Sequence, residues 1–101
     1  MVDLKLVNRG AEGELLIIGG LDTASAGQVE QVANELTAKF DKLIFNLSGL
    51  DYIASSGLRI LRNCHVALNK KGGEFIIKSP KPAVIEVLEM TGFASFLNIQ
   101  Q

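Results

Sequence analysis

Hydrophobic and polar residues follow patterns along the chain that predict four β-strands. Residues 4–7 alternate as a half-buried strand does, and an apolar run at residues 14–18 follows a polar turn over residues 8–13. These two strands predict an opening hairpin, in which the first runs antiparallel to the second. Two more apolar runs, residues 43–47 and residues 74–78, predict further strands, and the first of these is apolar enough to suggest cover on both faces.

Three segments between and after these strands have the spacing of amphipathic helices. Apolar residues recur at intervals of three and four from Val29 to Phe40, behind candidate capping residues at 22–25. A second helix is predicted over about 55–69, and a third opens at residues 79–82, where proline suits the first turn. Gly92 lies where the third helix should end, and the apolar residues after it are expected to pack onto the body.

The order β-β-α-β-α-β-α predicts an α/β fold, a mixed sheet with helices packed on it, formed as one domain over residues 1–101. Strands that alternate with helices pair in parallel through right-handed crossovers. The loops that follow parallel strands lie at one edge of the sheet. Residues 19–23 and residues 48–57 are therefore expected to meet there, with Asp22 and Ser55 on the same rim.

Charge and composition argue against several classes of partner. The chain has 10 basic and 11 acidic residues, a net charge of −1, and no block of like charge, so we expect no nucleic-acid binding. No apolar run approaches the ~20 residues of a membrane-spanning helix, so direct membrane insertion is not expected. The sequence begins without a signal-peptide pattern and has a single cysteine, Cys64, which together indicate a cytoplasmic setting.

The nucleophilic and titratable residues do not form a recognisable catalytic or metal-binding pattern. The only histidine, His65, would lie ~15 Å from Ser55 along one helix, too far to serve as its base. The spacings of a nucleophile elbow and of a nucleotide phosphate loop are absent. Cys64 and His65 are adjacent and lack a second ligand pair, which argues against zinc. We expect no enzyme activity, no cofactor and no metal.

The serine pair at the start of the second helix has two interpretations. In the first, Ser55 or Ser56 caps the helix, and Gly57 permits close packing of the first turn. In the second, Ser55 is phosphorylated, because the N-terminus of a helix accommodates a phosphate, and Arg59 lies four residues further on. Phosphorylation would then leave the fold intact and change the charge of a docking face by about −2.

The residues LDYIASSGL at positions 50–58 resemble a motif of the STAS domain family, in particular the bacterial anti-sigma factor antagonists. GLD at positions 20–22 and the strand at 43–47 match as well, and the resemblance covers essentially the whole chain. It implies that Ser55 is the phospho-acceptor of a serine kinase with a histidine-kinase-like ATPase fold, which is also the anti-sigma factor. The unmodified chain would bind this partner and the phosphorylated chain would release it, with a phosphatase as a further partner.

The other candidate contact residues surround Ser55 or follow the second strand. They are Asp22, Thr23, Tyr52, Ile53, Ala54, Ser56, Gly57 and Arg59. Asp22 has an alternative role as the N-cap of the first helix. The family often has aspartate where this sequence has Ala54 and Asn46. Two other hypotheses stay open: an unphosphorylated STAS subunit of a lipid transporter or stress-sensing complex, and a small-molecule binder that uses the same rim.

Overall fold

The structure, a computed structural model that describes residues 2–101, is a mixed β-sheet with three α-helices packed on it. The elements in chain order are β1 (Val2–Asn8), β2 (Glu12–Leu21), α1 (Thr23–Lys39), β3 (Lys42–Asn46), β4 (Leu50–Ile53), α2 (Ser55–Lys70), β5 (Glu74–Lys78), α3 (Pro82–Met90) and β6 (Asn98–Gln100). A 3₁₀ turn at Phe93–Ser95 connects α3 to β6. The predicted α/β fold class is confirmed.

The strands are ordered β1-β2-β3-β5-β6 across the sheet, and β4 pairs with β2 outside this path. The hairpin of β1 and β2 is antiparallel, and every other pairing is parallel, as predicted from the alternation of strands and helices. β3 pairs with β2 from Glu12 to Leu16, and β4 pairs with β2 from Gly19 to Leu21. The carboxyl ends of β2 and β4 therefore meet at one corner of the sheet.

Two short strands were not predicted, and β2 is longer than its apolar run. Residues 48–54 were expected to form a loop, but Leu50–Ile53 forms β4, with Leu50 and Ile53 buried on either side of two exposed residues. The C-terminal tail does pack onto the body through Leu97, and Asn98–Gln100 also pairs with β5 as β6. β2 continues through two glycines to Leu21. These pieces are too short or too glycine-rich to show a strand pattern.

One hydrophobic cluster lies between the helices and one face of the sheet. Leu15, Phe45 and Ile77 occupy one cross-strand row of that face, and α1, α2 and α3 all contribute residues to the cluster. Helix α3 begins with Pro82 at its first position, and Gly92 after its end has a φ of 82°, so both predicted boundary signals are confirmed. The core is mostly aliphatic. Its aromatic residues include Phe45 and Phe75, whose rings are in edge-to-face contact with their centroids 5.0 Å apart.

The opposite face of the sheet is lined by the row Glu14, Ile44 and Ile76, which lies outside the helix-packed cluster. The centre of β3 is buried on both faces, as its apolar run predicts, because Ile44 on this face is buried as well as Leu43 and Phe45 on the other. Ile44 is only 9% exposed although it is not part of that cluster.

Glu14 is a buried carboxylate on that second face. Asn46 Nδ2 donates to its Oε2 at 2.8 Å, and Arg9 Nη2 and Lys78 Nζ lie 2.7 Å and 3.4 Å from its two oxygens. The hydrogen bond from Asn46 is the main cause that lowers the pKa of Glu14, against the opposing effect of burial. An aspartate at position 46 would place a second carboxylate there instead of a donor. The side chain of Asn46 is therefore engaged with Glu14 on this face of the sheet.

Candidate functional site

The end of β2 is joined to α1 by Asp22, which caps the helix. Its Oδ1 accepts from the Ser25 backbone N–H at 3.0 Å, and Ser25 Oγ accepts from the Asp22 N–H at 3.0 Å. This reciprocal pair is a capping box that satisfies two backbone donors at the helix start. The alternative role of Asp22 as the N-cap is confirmed. Thr23 follows as the first residue of α1 and is exposed.

Tyr52 connects β4 to this cap. Its hydroxyl donates to Asp22 Oδ2 at 2.7 Å, so both carboxylate oxygens of Asp22 are engaged within the chain. The aromatic ring lies over Gly20, where an added Cβ would overlap it, yet 49% of Tyr52 is exposed. Gly20 thus lets a large amphipathic side chain lie against the strand while presenting one face to solvent.

The hydrogen bonds around Asp22 change the pKa of both partners. The hydrogen bond from Tyr52, followed by those from Ser25, lowers the pKa of Asp22 from 3.8 to about 2. The same hydrogen bond to Asp22 raises the pKa of the Tyr52 hydroxyl. Because the folded chain favours the ionised carboxylate, Asp22 contributes its stability fully above pH 3.8 and loses it as the pH falls toward 2.

Substitution of Tyr52 by phenylalanine should raise the pKa of Asp22 from about 2 toward 3.8, because the largest cause of its lowering is removed. Carboxyl ¹³C NMR over a pH titration measures this directly. The capping box does not depend on the phenol, so the shift should be incomplete and α1 should keep its N-terminal amide protection. An unchanged Asp22 titration would contradict the Tyr52–Asp22 hydrogen bond.

Helix α2 begins without any side-chain cap. Its N-cap residue is Ala54, and neither serine hydroxyl bonds to the first turn, so the prediction that Ser55 or Ser56 caps this helix is wrong. Ser55 is exposed, whereas Ser56 Oγ is buried and has no hydrogen-bond partner within residues 2–101. Ala54 itself is fixed to β2, because its N–H donates to the Leu21 carbonyl at 2.8 Å.

Gly57 brings the first turn of α2 against the core. It is buried, and an added Cβ would lie 2.7 Å from Ile53 Cγ1 and 2.7 Å from Leu21 Cγ. Ile53 is only 6% exposed, so it packs in the core and offers little surface to a partner. The predicted close packing at Gly57 is confirmed.

Ser55 opens onto a shallow cleft of about 250 Å³ that sequence reasoning did not predict. Its lining residues are Ser55, Leu58, Arg59, Arg62 and Phe93. Arg62 has a local signal, because seven residues after Ser55 is two helical turns on the same face. Phe93 has none, since only the tertiary fold brings the 3₁₀ turn after α3 beside the start of α2.

The structure brings most of the predicted contact residues to one corner, which we call the Ser55 rim: Asp22, Thr23, Tyr52, Ala54, Ser55 and Arg59. The parallel pairing of Leu21 with Ile53 places the residues that follow them side by side.

His65 lies further along α2, and its ring packs on that of Phe96, with the ring centroids 5.1 Å apart. Burial raises the pKa of the Cys64 thiol to about 12.

The sequence matches the STAS domain family over residues 6–101. The chain belongs to the STAS domain family. A relative in Bordetella bronchiseptica, BtrV, named as a candidate anti-sigma factor antagonist, is 34% identical over 102 residues, which cover 95% of this chain and 85% of BtrV. The anti-sigma F factor antagonist of Paenibacillus polymyxa is 26% identical over 83 residues, 80% of this chain and 71% of that protein.

Solved STAS structures share the fold of this chain. An anti-sigma factor antagonist from Mycobacterium paratuberculosis superposes with a TM-score of 0.89 at 22% identity, covering 99% of this chain and 86% of the other. The anti-sigma factor antagonist SpoIIAA in its unphosphorylated form gives 0.80 at 20% identity, covering 100% and 89%. Bacillus SpoIIAA in the phosphorylated form gives 0.74 at 19% identity, covering 100% and 92%.

Within residues 2–101, no helix combines the length and the apolar character needed to cross a bilayer. Over the same residues, histidine, cysteine and acidic side chains do not gather in threes around a position that could hold a metal ion.

Proposed function

We propose that this chain, as one STAS domain over residues 1–101, is an anti-sigma factor antagonist whose docking face is the Ser55 rim. The observation that carries the proposal is an exposed Ser55 hydroxyl at the uncapped start of α2, beside the fixed Asp22–Tyr52 pair. The names of its relatives supply the class of partner, an anti-sigma factor. Rim residues Thr23, Tyr52, Ala54 and Arg59 would contact it.

The proposed control is phosphorylation of Ser55 by the anti-sigma factor, acting as a serine kinase with a histidine-kinase-like ATPase fold. The Ser55 oxygen would attack the γ-phosphorus of ATP and release ADP, and its proton would pass to a base. A new Oγ–P bond replaces the broken P–O bond to ADP. Hydrolysis by a phosphatase would return the hydroxyl and inorganic phosphate. In this scheme the chain itself is a substrate and a binding partner, not an enzyme.

Phosphorylation suits this position for a structural reason. Ser55 is the first residue of α2, so an added phosphate lies at the positive end of the helix dipole and does not enter the core. The modification would change the charge of the rim by about −2 and would leave the packing of Gly57 and Leu61 undisturbed. A partner that approaches Ser55 closely would then meet an anion that the unmodified chain does not carry. We place this exchange in the cytoplasm, away from nucleic acid.

The test compares four baits in a pull-down from native lysate, read by mass spectrometry: wild type, Ser55→Ala, Ser55→Asp and Gln31→Glu. Gln31→Glu adds the same single charge to an exposed residue of α1 and is the matched control. We expect the partner kinase to bind all but Ser55→Asp, whose affinity should fall at least about 100-fold, because a misplaced charge at an interface costs several kcal/mol. Circular dichroism should show all four folded.

Two outcomes would overturn the proposal. Equal binding of the kinase by wild type and Ser55→Asp would mean that Ser55 does not control docking. Retention of the same membrane-complex subunits by both baits would favour the unphosphorylated STAS subunit of a transporter or stress-sensing complex. The observation that favours this alternative is Ala54, which occupies a position where the family often has aspartate.

A further inference from the structure

The cleft beside Ser55 contains two arginines that have no acidic partner in residues 2–101. Arg9 of the same chain is engaged by Glu12 and Glu14, and four lysines also form ion pairs, whereas Arg59 and Arg62 form none. Both are exposed, and both line the cleft with Leu58 and Phe93. The cleft therefore has an apolar floor and two unneutralised guanidinium groups.

The helical geometry directs these side chains toward Ser55. Residues 55, 59 and 62 lie on one face of α2, with Arg59 one turn and Arg62 two turns after the serine, ~6 Å and ~10 Å along the axis. Side chains on a helix lean toward its N-terminus, so positions 59 and 62 allow long side chains to reach in the direction of the hydroxyl. The cleft, at about 250 Å³, is open to solvent and has room for a phosphate group.

We propose that Arg59 and Arg62 form an intrachain clamp that binds the phosphate of phosphorylated Ser55. Guanidinium groups bind phosphate oxygens bidentately, which a lysine at the same position would not do. The proposal rests on the phosphorylation of Ser55 described above and adds how the modified state is held. The phosphate and the two arginines would neutralise each other, so phosphorylation would withdraw two basic side chains from the docking face as well as add an anion.

The clamp would hold the phosphate of phosphorylated Ser55 in one position, against Arg59 and Arg62. Without the clamp, the phosphate would be mobile. In the unmodified chain, Arg59 and Arg62 are free to meet acidic groups of a partner. In the modified chain, the same guanidinium groups are occupied by the phosphate. A partner that needs them would lose both contacts at once, which gives phosphorylation a larger effect on docking than a carboxylate mimic at position 55.

The test uses the full chain with phosphoserine incorporated site-specifically at position 55, so that no kinase or partner is required. The second ionisation of the phosphate is followed by ³¹P NMR over a pH titration. In wild type, we expect its pKa to lie about one unit below the ordinary value of about 6, because two nearby cations favour the dianion. In the double variant Arg59→Gln, Arg62→Gln, the value should return to within a few tenths of 6.

Lys70→Gln is the matched control, because it removes one positive charge from the last turn of the same helix, ~22 Å from Ser55. It should leave the phosphate titration unchanged. Amide NMR spectra show whether each variant is folded, and the substituted residues are all exposed, so folding should be retained. The Arg59→Lys, Arg62→Lys variant should give an intermediate shift, because it keeps the charge and loses the bidentate contact.

Two results would overturn the clamp. Identical titrations in wild type and the double glutamine variant near the ordinary value would show that the arginines do not contact the phosphate. Equal lowering in both would assign the effect to the helix N-terminus alone. The proposed function fails separately, since a shifted titration combined with undiminished kinase binding by the chain phosphorylated at Ser55 would keep the clamp and reject the partner switch.

Discussion

Leu61→Ala should lower the free energy of unfolding by about 2–5 kcal/mol, as truncation of a buried leucine to alanine usually does. Leu61 is fully buried in the middle of α2, within the cluster shared by all three helices and the sheet. The substitution removes apolar contacts and leaves a cavity that the surrounding strands and helices cannot close. A domain of this size has a total stability of about 5–15 kcal/mol, so the variant is expected to unfold at markedly lower urea concentration.

Urea denaturation followed by circular dichroism measures this loss. Val66→Ala is the matched control on the same helix, because Val66 is 43% exposed and its truncation removes little buried surface. Its effect should stay within about 0.5 kcal/mol. Similar values for the two variants would contradict the orientation of α2, in which Leu61 faces the core and Val66 faces solvent.

Gly57→Ala should destabilise the domain by about 1–3 kcal/mol, against the usual preference for alanine within helices. The added methyl would lie 2.7 Å from side-chain atoms of both Ile53 and Leu21, which are themselves buried. Relief requires α2 to move away from the ends of β2 and β4. The same movement would displace Ser55, so binding of the proposed kinase partner should weaken together with stability.

Gly27→Ala is the control that separates crowding from helix propensity. Gly27 is exposed on α1, and nothing lies within 4 Å of the position that its Cβ would take. This substitution should therefore stabilise the domain by about 0.5–1 kcal/mol. The two glycine variants should thus shift the urea midpoint in opposite directions. Stabilisation by both would show that the first turn of α2 is less closely packed than the structure indicates.

The regular elements were predictable because their signals are local. The stripe of Val29, Ala33 and Leu36 turns α1 toward the core, and the apolar runs at 43–47 and 74–78 mark β3 and β5 within one residue at each end. Alternation of strands with helices then predicted the parallel pairing that brings Asp22 near Ser55. Pro82 and Gly92 marked the boundaries of α3, since backbone restrictions act within a few residues.

The elements that were missed depend on distant partners. Leu50–Ile53 becomes a strand because β2 offers a free edge beyond the end of β3, and Asn98–Gln100 because the edge of β5 that faces away from β3 is free. The serine cap of α2, one of the two interpretations of Ser55 and Ser56, rested on residue preference alone. It is absent because Ala54 takes the N-cap position, where its N–H donates to the Leu21 carbonyl of β2.

The sequence by itself determined the fold class, the family and the position of the exposed serine, because these depend on periodicity and on a contiguous motif at 50–58. Only the tertiary structure decided that Tyr52 engages Asp22 and that Phe93 lines a cleft with Ser55. These contacts join residues 30 or more positions apart, and their geometry depends on how β2, β4 and α2 meet. Hydrogen bonds and clefts form between surfaces that the whole fold positions, so no local pattern encodes them.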